Sequence, residues 1–64
     1  MAKKSPVKET ILQVLQEKGC MTKDELAEEV ANRVGTMPRV VKAVITKMVK
    51  RGELVEKDGK ICLP

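Results

Sequence analysis

Sixty-four residues make one small domain with room for one modest core. With no histidine, no aromatic residue and only two cysteines, the chain lacks the usual parts of a zinc site, a base-stacking platform and a His-based catalytic centre. Its formal charge is +4, and all of the excess lies in residues 35–64, with seven cations against three anions; residues 1–34 hold six of each.

That asymmetry points to a polyanionic partner rather than to general solubility. Without aromatic rings to stack bases, a nucleic-acid reading favours the duplex, gripped through phosphates and groove edges. Cys20 and Cys62, with no secretion signal in "MAKKSPVKE", predict a cytoplasmic protein whose thiols are both reduced. Each is then a small apolar core or sheet residue. No apolar run approaches membrane-spanning length.

Residues 1–4 read as a disordered basic N-terminus, with a DNA-contacting arm of Lys3 and Lys4 as the other reading. Ser5 is the expected N-cap of a first helix and Pro6 its first position, where a missing N–H does no harm. Val7, Ile11, Val14 and Leu15 recur at helical spacing and should face the core, and Gly19 ends the helix. "CMT" at 20–22 is a short extended link. Thr22 and Glu25 form a capping box that opens a second helix, with Asp24 adding a favourable charge to its first turn. Leu26, Ala27, Val30, Ala31 and Val34 form its buried stripe, and Gly35 ends it.

Pro38 starts a third helix over 38–51. At about 100° per residue, Met37, Val41, Val44, Ile45 and Met48 share one side. Arg39, Lys42, Ala43, Thr46 and Lys50 share the other, with Lys47 beside them and Val40 and Val49 at the borders. Gly52 stops the helix. "ELVE" and "KICL" then flank Lys57-Asp58-Gly59-Lys60, and Asp-Gly between apolar strands is a strong hairpin signal. In that register Leu54 opposes Leu63, Glu56 opposes Ile61, and Lys57 meets Lys60 at the tip. Like charges opposite each other are unfavourable alone, so the tip suits an anion.

The predicted fold is mostly α with a small antiparallel β-hairpin (α+β), in the order helix, strand, helix, helix, strand, strand, as one domain over 1–64. This order resembles the winged helix-turn-helix superfamily across residues 5–63. The most specific part is the spacing Gly35, Val41, Ile45, Met48, Gly52, Leu54, similar to the family's turn glycine, three recognition-helix core positions, terminal glycine and first wing residue. The resemblance implies that the third helix enters the DNA major groove and that the 57–60 wing tip reaches the backbone. It also implies that "CMT" joins the wing as a third strand, bringing Cys20 near Cys62. Two departures stand out. Many relatives cap the recognition helix with Ser or Thr where this chain has Met37-Pro38, so either Thr36 caps one residue early or Met37 is a core anchor beneath a weak cap. The second helix also carries four acids, and Glu28 and Glu29, which have no capping role, should face away from DNA.

Arg39, Lys42, Ala43 and Thr46 are the candidates for reading base edges, since they lie on the early and middle turns of the exposed face. Lys47, Lys50 and Arg51, with Lys57 and Lys60 on the wing, are the candidates for phosphate contact. For Arg51, carbonyl capping or a pair with Glu53 is the competing role. The expectation is a double-stranded DNA-binding protein acting in transcriptional regulation. A solvated face is the bland alternative, because Lys and Arg are good helix formers. Against it, the first two helices mix Glu with Lys and the third does not. The rival function is a winged-helix protein-interaction module using the acidic second helix through Glu28 and Glu29. No enzyme is expected, and neither a cofactor nor a metal: the single serine sits at a helix start and no Gly-rich phosphate loop occurs. No dimerisation segment is visible.

Overall fold

A computed structural model describes residues 6–64; the expected Ser5 cap and the basic stretch 1–4 lie outside them. The elements are α1 (Pro6–Lys18), β1 (Met21–Thr22), α2 (Lys23–Val34), α3 (Pro38–Lys50), β2 (Val55–Lys57) and β3 (Lys60–Cys62). The protein is therefore mostly helical with a small antiparallel sheet, an α+β fold, in the expected order. The strands pair in the order β1-β3-β2. No helix among the described residues is long and apolar enough to cross a membrane.

Helical periodicity places the core. Ile11, Val14 and Leu15 of α1, Leu26, Ala27, Val30 and Ala31 of α2, and Val41, Ile45 and Met48 of α3 are buried together. Leu54 and Ile61 close this cluster from the sheet side, and Val7, Val34 and Val44 pack partly buried against it. Thr22 caps α2 as expected, its hydroxyl accepting the Glu25 N–H at 3.2 Å. Around the outside, Arg33 bonds Glu17 and Glu29 at 3.0 Å each, and Lys18 reaches Glu29 at 3.5 Å. This network ties α1 to α2 at the surface, where solvent screening keeps the contribution of each pair small.

Met37 corrects the expected third stripe. It is 51 % exposed, not a core anchor, and it is the N-cap of α3 without any side-chain cap bond. The reason is local. A residue before proline is pushed to extended backbone, and Met37 sits at φ −98, ψ 143. A helical wheel does not describe a residue that is not helical. At the other end, α3 stops at Lys50, so Arg51 is its C-cap rather than its last turn. The backbone N–H of Arg51 donates to the Lys47 carbonyl at 3.1 Å, while Glu53 pairs with Lys8 of α1 at 3.1 Å instead of with Arg51.

The hairpin register is as expected at Glu56↔Ile61 and Lys57↔Lys60, but the ladder ends at Val55↔Cys62 before reaching Leu54 and Leu63. Leu54 instead turns into the core, and its N–H donates to the Met48 carbonyl at 3.4 Å. Asp58 (φ 52) and Gly59 (φ 76) both take positive φ, the requirement of a type I′ turn.

The cysteines depart from the expectation of free thiols. Cys20 and Cys62 form a disulfide, with Cα atoms 4.4 Å apart and 42 positions between them in sequence. The sheet explains the meeting. Met21 pairs with Ile61 and Thr22 with Lys60, so one step further along the antiparallel ladder sets Cys20 opposite Cys62. Compartment reasoning treated each cysteine alone, whereas strand register makes them neighbours.

Candidate nucleic-acid interface

Three residues separate α2 from α3. Gly35 takes a left-handed conformation (φ 85), and its N–H donates to Ala31 at 2.8 Å. Thr36 and extended Met37 then turn the chain into Pro38. Because Val41, Ile45 and Met48 are fully buried, the opposite face of α3 is turned to solvent. Arg39 and Ala43 are exposed there, with Lys47 and Lys50 following on later turns.

Lys42 and Thr46 lie on the flank nearest the start of α2 and are half-buried by it. The Lys42 ammonium donates to the Asp24 carboxylate at 2.6 Å. Lys23 donates to the Thr46 hydroxyl at 2.6 Å, and that hydroxyl donates in turn to the Lys42 carbonyl at 3.0 Å. The hydrogen bond and charge of Lys42, helped by the nearby charge of Lys23, hold the Asp24 carboxyl below its ordinary pKa. Asp24 is nevertheless 79 % exposed, so its negative charge stands at the surface among the cations of α3. The Thr46 hydroxyl is engaged within the protein, which makes it a buttress between α2 and α3.

The sheet brings the hairpin to the same place. Ile61 and Met21 face the interior, so alternation sends Lys60 and Cys62 of β3 to the outer face. Directly opposing residues share a face; Lys60 therefore stands beside Lys57 on one side and Thr22, the N-cap of α2, on the other. A continuous path results, from Lys57 and Lys60 through Thr22 and Lys23 to Thr46 and Lys42. Like-charged Lys57 and Lys60 are held opposite one another by the turn and are exposed.

Lys47, Lys50 and Arg51 are exposed over the C-terminal end of α3, beyond Thr46. Of the two acids proposed as a partner surface, Glu28 is exposed, whereas Glu29 is held by Arg33 and Lys18 toward α1. Those two cations also hold the Glu29 carboxyl below its ordinary pKa, Arg33 contributing most.

Lys23 and Asp24 are members of this surface that sequence reasoning missed. Asp24 already had an explanation as a first-turn acid, and Lys23 lies on no basic run. Only the crossing of α2 over α3 shows where they point. Comparison of the chain with protein-family models, with curated proteins and with solved structures finds no match. The fold and the surface define a small three-helix α+β domain with cations on α3, at the start of α2 and on the hairpin tip.

Proposed function

We propose that this chain is a winged helix-turn-helix protein that binds double-stranded DNA, with a role in transcriptional regulation. In this reading α3 lies in the major groove and the hairpin is the wing that holds the backbone. One observation carries it: the Lys23–Thr46 hydrogen bond joins the N-terminus of α2 to α3, and the strand pairing Thr22↔Lys60 sets the lysine pair of the hairpin tip beside that N-terminus. A solvated face does not need such alignment; a phosphate backbone running across three elements does. Arg39, Lys42 and Ala43 meet base edges, while Lys23, Lys47, Lys50, Lys57 and Lys60 meet phosphates. The reading assigns no catalytic role. It places the protein in the cytoplasm with the DNA. Disulfides are rare there and usually transient, the intracellular proteins of hyperthermophiles being an exception.

The test is a salt titration on random duplex DNA. With four to six phosphates neutralised, log K against log salt should fall with a slope of about −4 to −5. A flat response, or no duplex binding at low salt, overturns the reading and favours the protein-interaction alternative on α2.

Gly59→Val tests the wing separately. A Cβ at Gly59 meets nothing within 4 Å, so the strain of the substitution comes from holding a β-branched residue at φ +76. The tip should loosen while the helices, whose stripes bury one another, keep their circular dichroism. If Lys57 and Lys60 each hold a phosphate, the salt slope should become shallower by about 2. An unchanged slope would make the hairpin a cover for the core with no part in binding.

A further inference from the structure

We propose that Asp24 and Lys42 act as one unit that reads a G·C base pair, Asp24 being a specificity-determining residue of the DNA surface. The proposal rests on the duplex-DNA reading above and names what that surface selects.

An exposed carboxylate at this position is unexpected on a phosphate-binding surface, because it repels every phosphate that approaches. Its role at the start of α2 does not require the placement. Glu25 also supplies a first-turn charge, and a helix dipole is served by an acid on any side of the turn. Asp24 is instead aimed across at α3, 2.6 Å from Lys42, with 79 % of its side chain open to solvent. The pair therefore presents a donor and an acceptor side by side at the surface. Lys42 has three N–H groups and Asp24 has two oxygens with about four lone-pair sites, so each keeps capacity after bonding the other.

The major-groove edge of a G·C pair presents the complementary arrangement. Guanine O6 and N7 accept, cytosine N4 donates, and O6 and N4 are hydrogen-bonded neighbours at about 2.9 Å. Lysine suits the guanine acceptors and a carboxylate suits the cytosine amino group. An A·T pair in the same orientation places a donor where guanine has O6 and an acceptor where cytosine has N4, so the same unit meets like against like. The reversed T·A pair keeps the acceptor–donor order but has a methyl where guanine has N7, so Lys42 loses its second acceptor. On DNA without the right pair, Asp24 both repels phosphate and holds Lys42 away from it. The second bridge fixes the geometry: Lys23 to Thr46 at 2.6 Å locks the start of α2 against the middle of α3.

The experiment selects preferred duplexes from a random pool with the parent protein. Each G·C pair of the selected site is then replaced in turn by hypoxanthine·C, which keeps O6 and N4, or by 2,6-diaminopurine·T, which exchanges their donor and acceptor. At one pair, diaminopurine·T should weaken parent binding about tenfold, while hypoxanthine·C leaves it unchanged. Asp24→Asn should lose that discrimination and bind random duplex several-fold tighter, and Asp24→Glu should retain the discrimination. Lys42→Met, which leaves the first turn of α2 untouched, should lose discrimination at the same pair. In that background Asp24→Asn should change site preference no further. Retained discrimination in Asp24→Asn or in Lys42→Met overturns the proposal, as does a parent that binds duplex without selecting any G·C pair. A parent that binds no duplex overturns the DNA reading itself, and this proposal with it.

Discussion

Opening the Cys20–Cys62 bond is expected to cost about 4 kcal/mol of folding stability, from the closure entropy of a loop this long. The bond spans 42 positions of the chain, so it restrains nearly everything from the end of α1 to the end of β3 in the unfolded state. A domain of this size has a total stability of only about 3–10 kcal/mol. The reduced protein should therefore stand near the edge of folding at 37 °C, with a melting temperature lower by on the order of 20 °C. The substituted pair Cys20→Ser with Cys62→Ser should match the parent in reductant and be insensitive to it. The denaturant slope should also rise, because an uncrosslinked unfolded chain exposes more surface. Equal unfolding midpoints with and without reductant would mean that the two sulfurs are not joined in solution. Rapid alkylation of protein in intact cells, followed by mass measurement, reports the redox state in the cell directly.

The second large effect separates two residues that share one side of a helical wheel. Ile45→Ala should destabilise by about 2–5 kcal/mol, since it removes a wholly buried side chain from the centre of α3 and leaves a cavity between the helices. Against a total of a few kcal/mol, that is enough to unfold much of the population and to abolish any binding by α3. Met37→Ala should change stability by no more than about 0.5 kcal/mol, because half of that side chain already faces water. Urea titrations of the two variants decide it. Similar losses at both positions would mean that Met37 is packed in the core and that α3 begins earlier than Pro38.

The same pair shows which parts of the fold were legible in sequence. Apolar stripes at helical spacing located the core face of each helix, because a buried face must repeat every 3.6 residues whatever it packs against. Thr22, Gly35, Pro38 and Asp58-Gly59 marked boundaries and the turn for the same reason: capping bonds and backbone φ depend on residues only a few positions apart. Met37 was misplaced because the wheel was carried across Pro38, where the backbone is no longer helical. The basic face of α3 could be listed residue by residue from the same periodicity. Its use of Lys23 and Asp24 could not, since nothing in the sequence says which turn of α2 crosses which turn of α3.

Local chemistry thus determined the elements, their order, their buried sides and the reversal of the hairpin. Only the tertiary structure decided what those elements bring together across long stretches of chain. The pairing of β1 with β3 joins residues some forty positions apart. The family resemblance implied that third strand and the approach of Cys20 to Cys62, but the crosslink itself, against the expectation of free thiols, came only with the tertiary structure. The packing of α2 on α3 converts a first-turn acid into the partner of Lys42 and an isolated lysine into the partner of Thr46. The physical reason is range. Propensity, capping and periodicity act within a few residues, whereas register and helix crossing are set by how all the buried faces fill one common core.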